Sequence, residues 1–178
     1  MAEQLGDPTP RLAGRISFNP LAHLDPLGTI ALLVIGFGWA RPVPINPRYF
    51  QRPILDEIEV ALAGPLANLV LALSVGLLLR FLPATVLNLL PSGILIDYGI
   101  LLVELNLTLM IFNLIPLPPL DGSRLLQLVV PADVYAQLDQ VGIYFLFALL
   151  FLGSGVVHQI LTLTVLPLAQ LIIGSPLS

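Results

Sequence analysis

Few side chains in this sequence can do chemistry, and the most suggestive is an acid that follows a run of prolines. In Asn113-Leu-Ile-Pro116-Leu-Pro118-Pro119-Leu-Asp121-Gly122-Ser-Arg124, an apolar segment meets three prolines and then the carboxylate of Asp121. Pro116, Pro118 and Pro119 lack a backbone donor and fix φ, so no ordinary helix runs through them. They predict an extended segment at or near membrane depth that ends in an acid. Irregular backbone at that depth has to be buried in protein or line a wet cavity. An ionisable group held there is a candidate functional residue. On a plainer reading, Asp and Gly are simply turn formers between two membrane helices.

The remaining candidates are sparse. There is no cysteine, which excludes a disulfide framework and any cysteine-based metal or nucleophile site. Only two histidines occur, His23 and His158. His23, in Asn19-Pro20-Leu-Ala-His23-Leu-Asp25-Pro26, reads either as a metal ligand or as a turn residue working with Asp25. His158, inside an apolar run, reads as a hydrogen-bonded interior residue. Hydrolysis on zinc needs three protein ligands, an open position for water, and a base. His-Glu-x-x-His on one helix face would supply two ligands and the base. The sequence contains no such motif.

The elements that must position these residues are membrane helices. The chain has 178 residues, of which 57% are hydrophobic and 10% charged. Soluble domains carry about a quarter charged residues, so this composition is that of an integral membrane protein. All seven basic residues are arginines, and five of them (Arg11, Arg15, Arg41, Arg48, Arg52) precede the first long apolar span. No basic patch with interleaved aromatics is present, so no nucleic-acid partner is expected. No apolar stretch follows Met1, so a signal peptide is not expected at this end.

Residues 27–40 are apolar but too short to span, and arginines flank them at Arg15 and Arg41. That suits a re-entrant or interfacial segment, anchored near Trp39. The stretch from Arg41 to Pro53 reads as an extended, proline-punctuated loop, and Arg15 to Phe18 alternates like a short strand. Residues 58–82 form the first span, with Gly64, Asn68, Ala72 and Gly76 on one smooth face suited to close helix packing. Residues 94–115 form the second span. Asp97, Glu104 and Thr108 share one of its faces, Asp97 and Glu104 in structural roles, pairing with another helix or sitting near an interface, while Asn106 and Asn113 lie on the opposite one and lead to the proline turn. Two further apolar segments are expected at about 141–157 and 159–174, divided by Gly153-Ser-Gly155 and Pro167. The arginine-rich loops and Arg124 are expected on the cytoplasmic side and the 83–93 loop outside. Arg80 runs weakly against that rule.

These motifs resemble the site-2 protease family, the intramembrane zinc metalloproteases. Asn-x-x-Pro-x-Pro-Pro-Leu-Asp-Gly at 113–122 is similar to the family's signature, as are Gly6-Asp7-Pro-Thr9, Asn19-Pro20-x-x-His23-x-Asp25-Pro26-x-Gly28, the Trp39-to-Asn46 stretch, and Ala63-Gly-Pro-Leu-Ala-Asn68. The resemblance implies that Asp121 is the third zinc ligand and that Asn106, Asn113, Pro116 and Pro118 face the substrate. It also implies that His-Glu-x-x-His belongs a few residues before Gly6-Asp7, a position that falls before Met1. Two expectations follow: a start assigned inside the gene, or a shortened, non-catalytic relative.

The expected fold is an all-α polytopic membrane helical bundle of the site-2 protease type, with short extended or re-entrant segments. It would be one domain over 1–178, with a loop and re-entrant region at 1–57 and three to four membrane helices at 58–178. The implied function is zinc-dependent hydrolysis of peptide bonds in membrane-embedded segments, in a multi-pass protein of a bacterial inner membrane. Its partners would be the lipid bilayer and a membrane-embedded peptide substrate. Zinc is expected for the complete family member, not as an ion retained by this chain alone, and none of its residues is assigned as a catalytic base. The rival expectation is a non-catalytic membrane scaffold or regulator. A transporter is disfavoured because no two halves resemble each other, as inverted repeats would.

Overall fold

The computed structural model describes residues 1–35, 38–83, 86 and 94–174. Its α-helices are α1 (Thr9–Leu12), α2 (Pro26–Ile35), α3 (Pro53–Phe81), α4 (Ile94–Asn113), α5 (Ala132–Leu152) and α6 (Ser154–Ile173), with 3₁₀ turns at Ala2–Leu5, Pro20–Ala22, Pro47–Tyr49 and Asp121–Leu128. Among the described residues there is no named strand, only an isolated antiparallel bridge between Leu24 and Ala40. The protein is an all-α membrane helical bundle. α3, α4 and α5 are long and apolar enough to cross a bilayer, with mean hydropathies of 2.1, 1.9 and 1.5. At about 1.5 Å per residue, the 20 residues of α4 match the ~30 Å hydrocarbon core. The 29 residues of α3 exceed it, and its acidic residues Asp56, Glu57 and Glu59 all lie in the first two turns.

The chain divides into two compact units, residues 1–60 and 61–178. In the first, the carboxylate of Asp7 is fully buried. Its Oδ1 accepts from the Thr9 amide at 2.9 Å and from the Thr9 hydroxyl, and its Oδ2 accepts from the Asn46 amide at 2.8 Å. Burial alone would raise this acid, but the three donors outweigh it and hold its pKa below the ordinary 3.8. Gly6 has φ of 102°, and a β-carbon there would come within 3.2 Å of the Tyr49 carbonyl. Gly6-Asp7-Pro-Thr9, which reads in sequence as a simple breaker, is therefore a clasp between the first turn and the loop at 46–49.

α2 leaves and returns at one point. Asp25 caps it, Oδ1 accepting from the Gly28 amide at 2.8 Å. Beyond the helix, the Arg41 amide donates to the His23 carbonyl at 2.9 Å, and Gly28 packs against the Trp39 backbone. The Arg15 guanidinium ties both limbs of this neck, donating to the carbonyls of Ala22 and Pro42. The strand expected at Arg15 to Phe18 does not form. Ser17 and Asn19 make side-chain turns there, to the amides of Asn19 (3.1 Å) and Leu21 (3.0 Å). Such local hydrogen bonds compete with extended pairing.

In the second unit, Ala72, Val103, Leu107, Val165, Ala169, Ile172 and Ile173 form the core, drawn from α3, α4 and α6. Lipid is as apolar as these side chains, so close packing rather than water exclusion joins the helices. Gly76 shows how close: a β-carbon there would overlap Ile172 and lie 3.5 Å from Val103. Arg80, which opposes the charge rule, has a local reason. Its Nη1 donates at 3.0 Å to the Leu171 carbonyl, one of the last carbonyls of α6, where a cation also suits the helix dipole.

Two boundaries differ from the sequence expectation. α5 begins at Ala132 rather than about 141, because Asp133 and Asp139 sit on its exposed side and cost the helix nothing. The division at Gly153 stands, but α6 starts at Ser154 and runs through Pro167 to Ile173. A proline inside a membrane helix is tolerated where neighbouring groups satisfy the freed carbonyl. The loop expected at 83–93 lies, apart from Pro83 and Val86, outside the described residues.

Candidate metal and substrate site

α4 ends at Asn113, and the prolines then take the chain through a turn whose hydrogen bonds are all local. The Leu117 amide donates to Ile115 at 2.8 Å, Leu120 to Leu117 at 2.9 Å, and Ser123 to Leu120 at 3.0 Å. The buried Ser123 hydroxyl adds a second bond to the Leu120 carbonyl at 2.7 Å. Two glycines let this turn fold tightly. A β-carbon at Gly122 would run into the Leu114 carbonyl, and one at Gly142 on α5 would run into Pro118. Pro118 is therefore buried against α5, while Pro116 is exposed.

The turn delivers Asp121 to the start of a 3₁₀ helix, Asp121–Leu128. Its side chain is half-buried and makes no hydrogen bond or ion pair with the described residues. Burial raises its pKa above the ordinary 3.8, and the positive charge of Arg124 partly offsets that effect. Arg124 itself is held by Tyr135, donating to the hydroxyl at 3.0 Å and lying 5.9 Å over the ring. On the other side of the acid stands Gly64 of α3, where a β-carbon would lie 3.3 Å from Asp121 Oδ2.

The other expected site residues are placed as follows. Asn106 is buried, its Nδ2 donating to the Leu102 carbonyl of its own helix at 2.8 Å. Asn113 is half-buried at the end of α4, next to the turn. His23 bonds the Ser17 carbonyl through Nε2 at 2.9 Å, while Asp25 is occupied in capping α2, so the two do not pair. His158 is exposed on α6 and not the interior residue expected, because the inward positions of that helix are taken by Val165, Ala169 and Ile172. Asp97 is exposed and Glu104 half-buried, and neither forms an ion pair with the described residues. Sequence reasoning missed Gly142, Ser123 and Tyr135, which fix the turn. Only the prolines and the Asp-Gly step carried a signal for it.

Hydrolytic zinc takes three protein ligands and keeps one position open. Asp121 fits one such place: among the described residues its carboxylate makes no hydrogen bond or ion pair, and Oδ2 lies beside the bare backbone of Gly64. The described residues hold no group of three or more His, Cys, Asp or Glu able to complete the set. Among the described residues, Asp121 is one candidate ligand without the other two.

No family profile matches the chain, and no solved structure matches it. It is 44% identical over 168 residues to "Putative zinc metalloprotease YwhC" of Bacillus subtilis, covering 90% of this chain and 77% of that protein. It is 35% identical over 104 residues to "Putative zinc metalloprotease MJ0611" of Methanocaldococcus jannaschii, covering 57% of this chain and 49% of that protein. Identity at this level across most of both chains fixes descent, and the chain belongs to the zinc metalloprotease-like family of which YwhC is a member.

Proposed function

We propose that this chain works as an intramembrane zinc metalloprotease of the site-2 type in a bacterial inner membrane, with Asp121 as one ligand of the metal. The observation that carries the reading is Asp121 itself. It is a half-buried acid with no hydrogen bond or ion pair among the described residues, delivered by a proline turn to the start of a 3₁₀ helix. Such a group is costly unless something cationic completes it. Bound zinc would supply an activated water and polarise the scissile carbonyl.

The chain's own residues do the rest. Pro116, Pro118 and Pro119 end α4 and stiffen the turn, Gly142 seats Pro118, and Ser123 locks the backbone after it. Asn113 and Pro116 face the substrate, Asn106 offers its side-chain oxygen, and Pro118 shapes the path. A substrate helix must unwind to expose an amide; the segment 116–120, expected to be extended, is instead folded as a turn, with the Leu120 amide donating to the Leu117 carbonyl at 2.9 Å.

The test joins Met1 to a membrane helix carrying His-Glu-x-x-His. The joined protein is expected to hold one zinc and cut a membrane-embedded peptide, and Asp121→Asn is expected to abolish both. A second reading is a non-catalytic membrane scaffold or regulator that binds partner helices through this fold. Zinc-free joined protein that still binds a partner helix would support that reading instead.

A further inference from the structure

The stripe Gly64, Asn68, Ala72 and Gly76 is put to two different uses. At its far end, Ala72 and Gly76 are buried and bring α3 against Val103 and Ile172. At its near end Gly64 is exposed, and its would-be β-carbon meets one atom of the described residues within 4 Å beyond its own helix backbone, Asp121 Oδ2 at 3.3 Å. Helix packing explains the small residues at 72 and 76, but not the one at 64. Among the described residues no helix leans on Gly64; what it leaves is an open bay beside one carboxylate oxygen. Ordinary contact to a methyl begins at about 3.4 Å, so alanine here would press on the oxygen, and a longer side chain would fill the bay. Displacements of a few tenths of an ångström exceed the ~0.2 Å tolerance of a metal–ligand distance.

We infer that Gly64 is a positioning residue for Asp121: its bare backbone sets where Oδ2 can lie and keeps open the side from which that oxygen's partner approaches. That the partner is a zinc ion rests on the function proposed above; the open approach does not. The closest alternative, that Gly64 is one more packing glycine, predicts that substitution there would loosen α3 from α4 and α6 and leave access to position 121 unchanged.

The chain has no cysteine, so Asp121→Cys gives a single thiol. Its rate of modification by a small cationic methanethiosulfonate is measured in lipid nanodiscs, with glycine, alanine or leucine at position 64. Thiol modification depends on access, so Gly64→Leu is expected to slow it about tenfold or more and Gly64→Ala only a few fold. Val70→Leu, on an exposed part of α3, is expected to leave the rate unchanged. Circular dichroism checks folding, and if the leucine variant does not fold, the alanine variant and Gly64→Ser carry the comparison. Equal rates at all folded variants would overturn the inference. No metal enters this assay, so its failure would leave the zinc reading standing. Loss of the zinc reading, through an Asp121→Asn protein that keeps its metal, would leave the bay standing.

Discussion

The Asn46 amide donates to Asp7 Oδ2 at 2.8 Å, a bond across 39 residues that closes the first unit. Asp7 is fully buried, and both of its oxygens are used. Each hydrogen bond to such a charged group is worth about 1.5–3 kcal/mol. Asp7→Ala is therefore expected to loosen residues 1–50, read as faster amide exchange there, with α4 and α6 unaffected.

The same acid sets a pH response. Its folded pKa lies below the ordinary 3.8, so its contribution to stability is complete above that value and lost as pH falls through the folded pKa. Amide protection in the first unit is expected to hold at pH 5–7 and fall below about pH 4, and Asp7→Asn is expected to remove that dependence. A wild-type profile shared by the variant would assign the acid response to another group.

Core packing gives a prediction of opposite sign for one pair. Gly76→Ala would overlap Ile172 and is expected to destabilise the bundle by about 1–3 kcal/mol, the usual cost of overpacking. Ile172→Ala alone leaves a cavity. The double variant should be more stable than the sum of the two, measured by denaturant titration in detergent micelles. Strict additivity would mean that the two positions do not touch.

Much of this fold was legible because lipid restricts the alternatives. The uncharged run from Val60 to Leu79 and the apolar run before Asn113 could only be spans, and three prolines could only end one. Less legible were features that depend on a distant partner. Gly6-Asp7-Pro-Thr9 carries turn residues whatever they bind, and nothing local shows that Asp7 reaches Asn46. Gly64 and Gly76 look alike in the sequence, yet one borders an acid and the other a packed isoleucine. Asp133 and Asp139 made the start of α5 look like loop because charge marks exposure as readily as it marks the end of a helix.

Topology offers an independent check. α3 and α4 are each long and apolar enough to cross once, so the chain is expected to return after Asn113 to the side it left at Pro53. Single cysteines at Ile45 and Val129, both exposed, are expected to label from the same, cytoplasmic face of sealed vesicles. Labelling from opposite faces would remove the membrane arrangement assumed for Asp121.

The most direct measurement is the zinc content of the chain joined to a His-Glu-x-x-His helix, with Asp121 and with Asp121→Asn. Asparagine keeps the shape and removes the charge. The account predicts one zinc per chain and cleavage of a membrane peptide with Asp121 in place, and loss of both on that substitution. Asp139→Asn, on the exposed side of α5, should change neither. An Asp121→Asn protein that held one zinc and cut its substrate at the unsubstituted rate would contradict the account and leave Asp121 as a turn residue only.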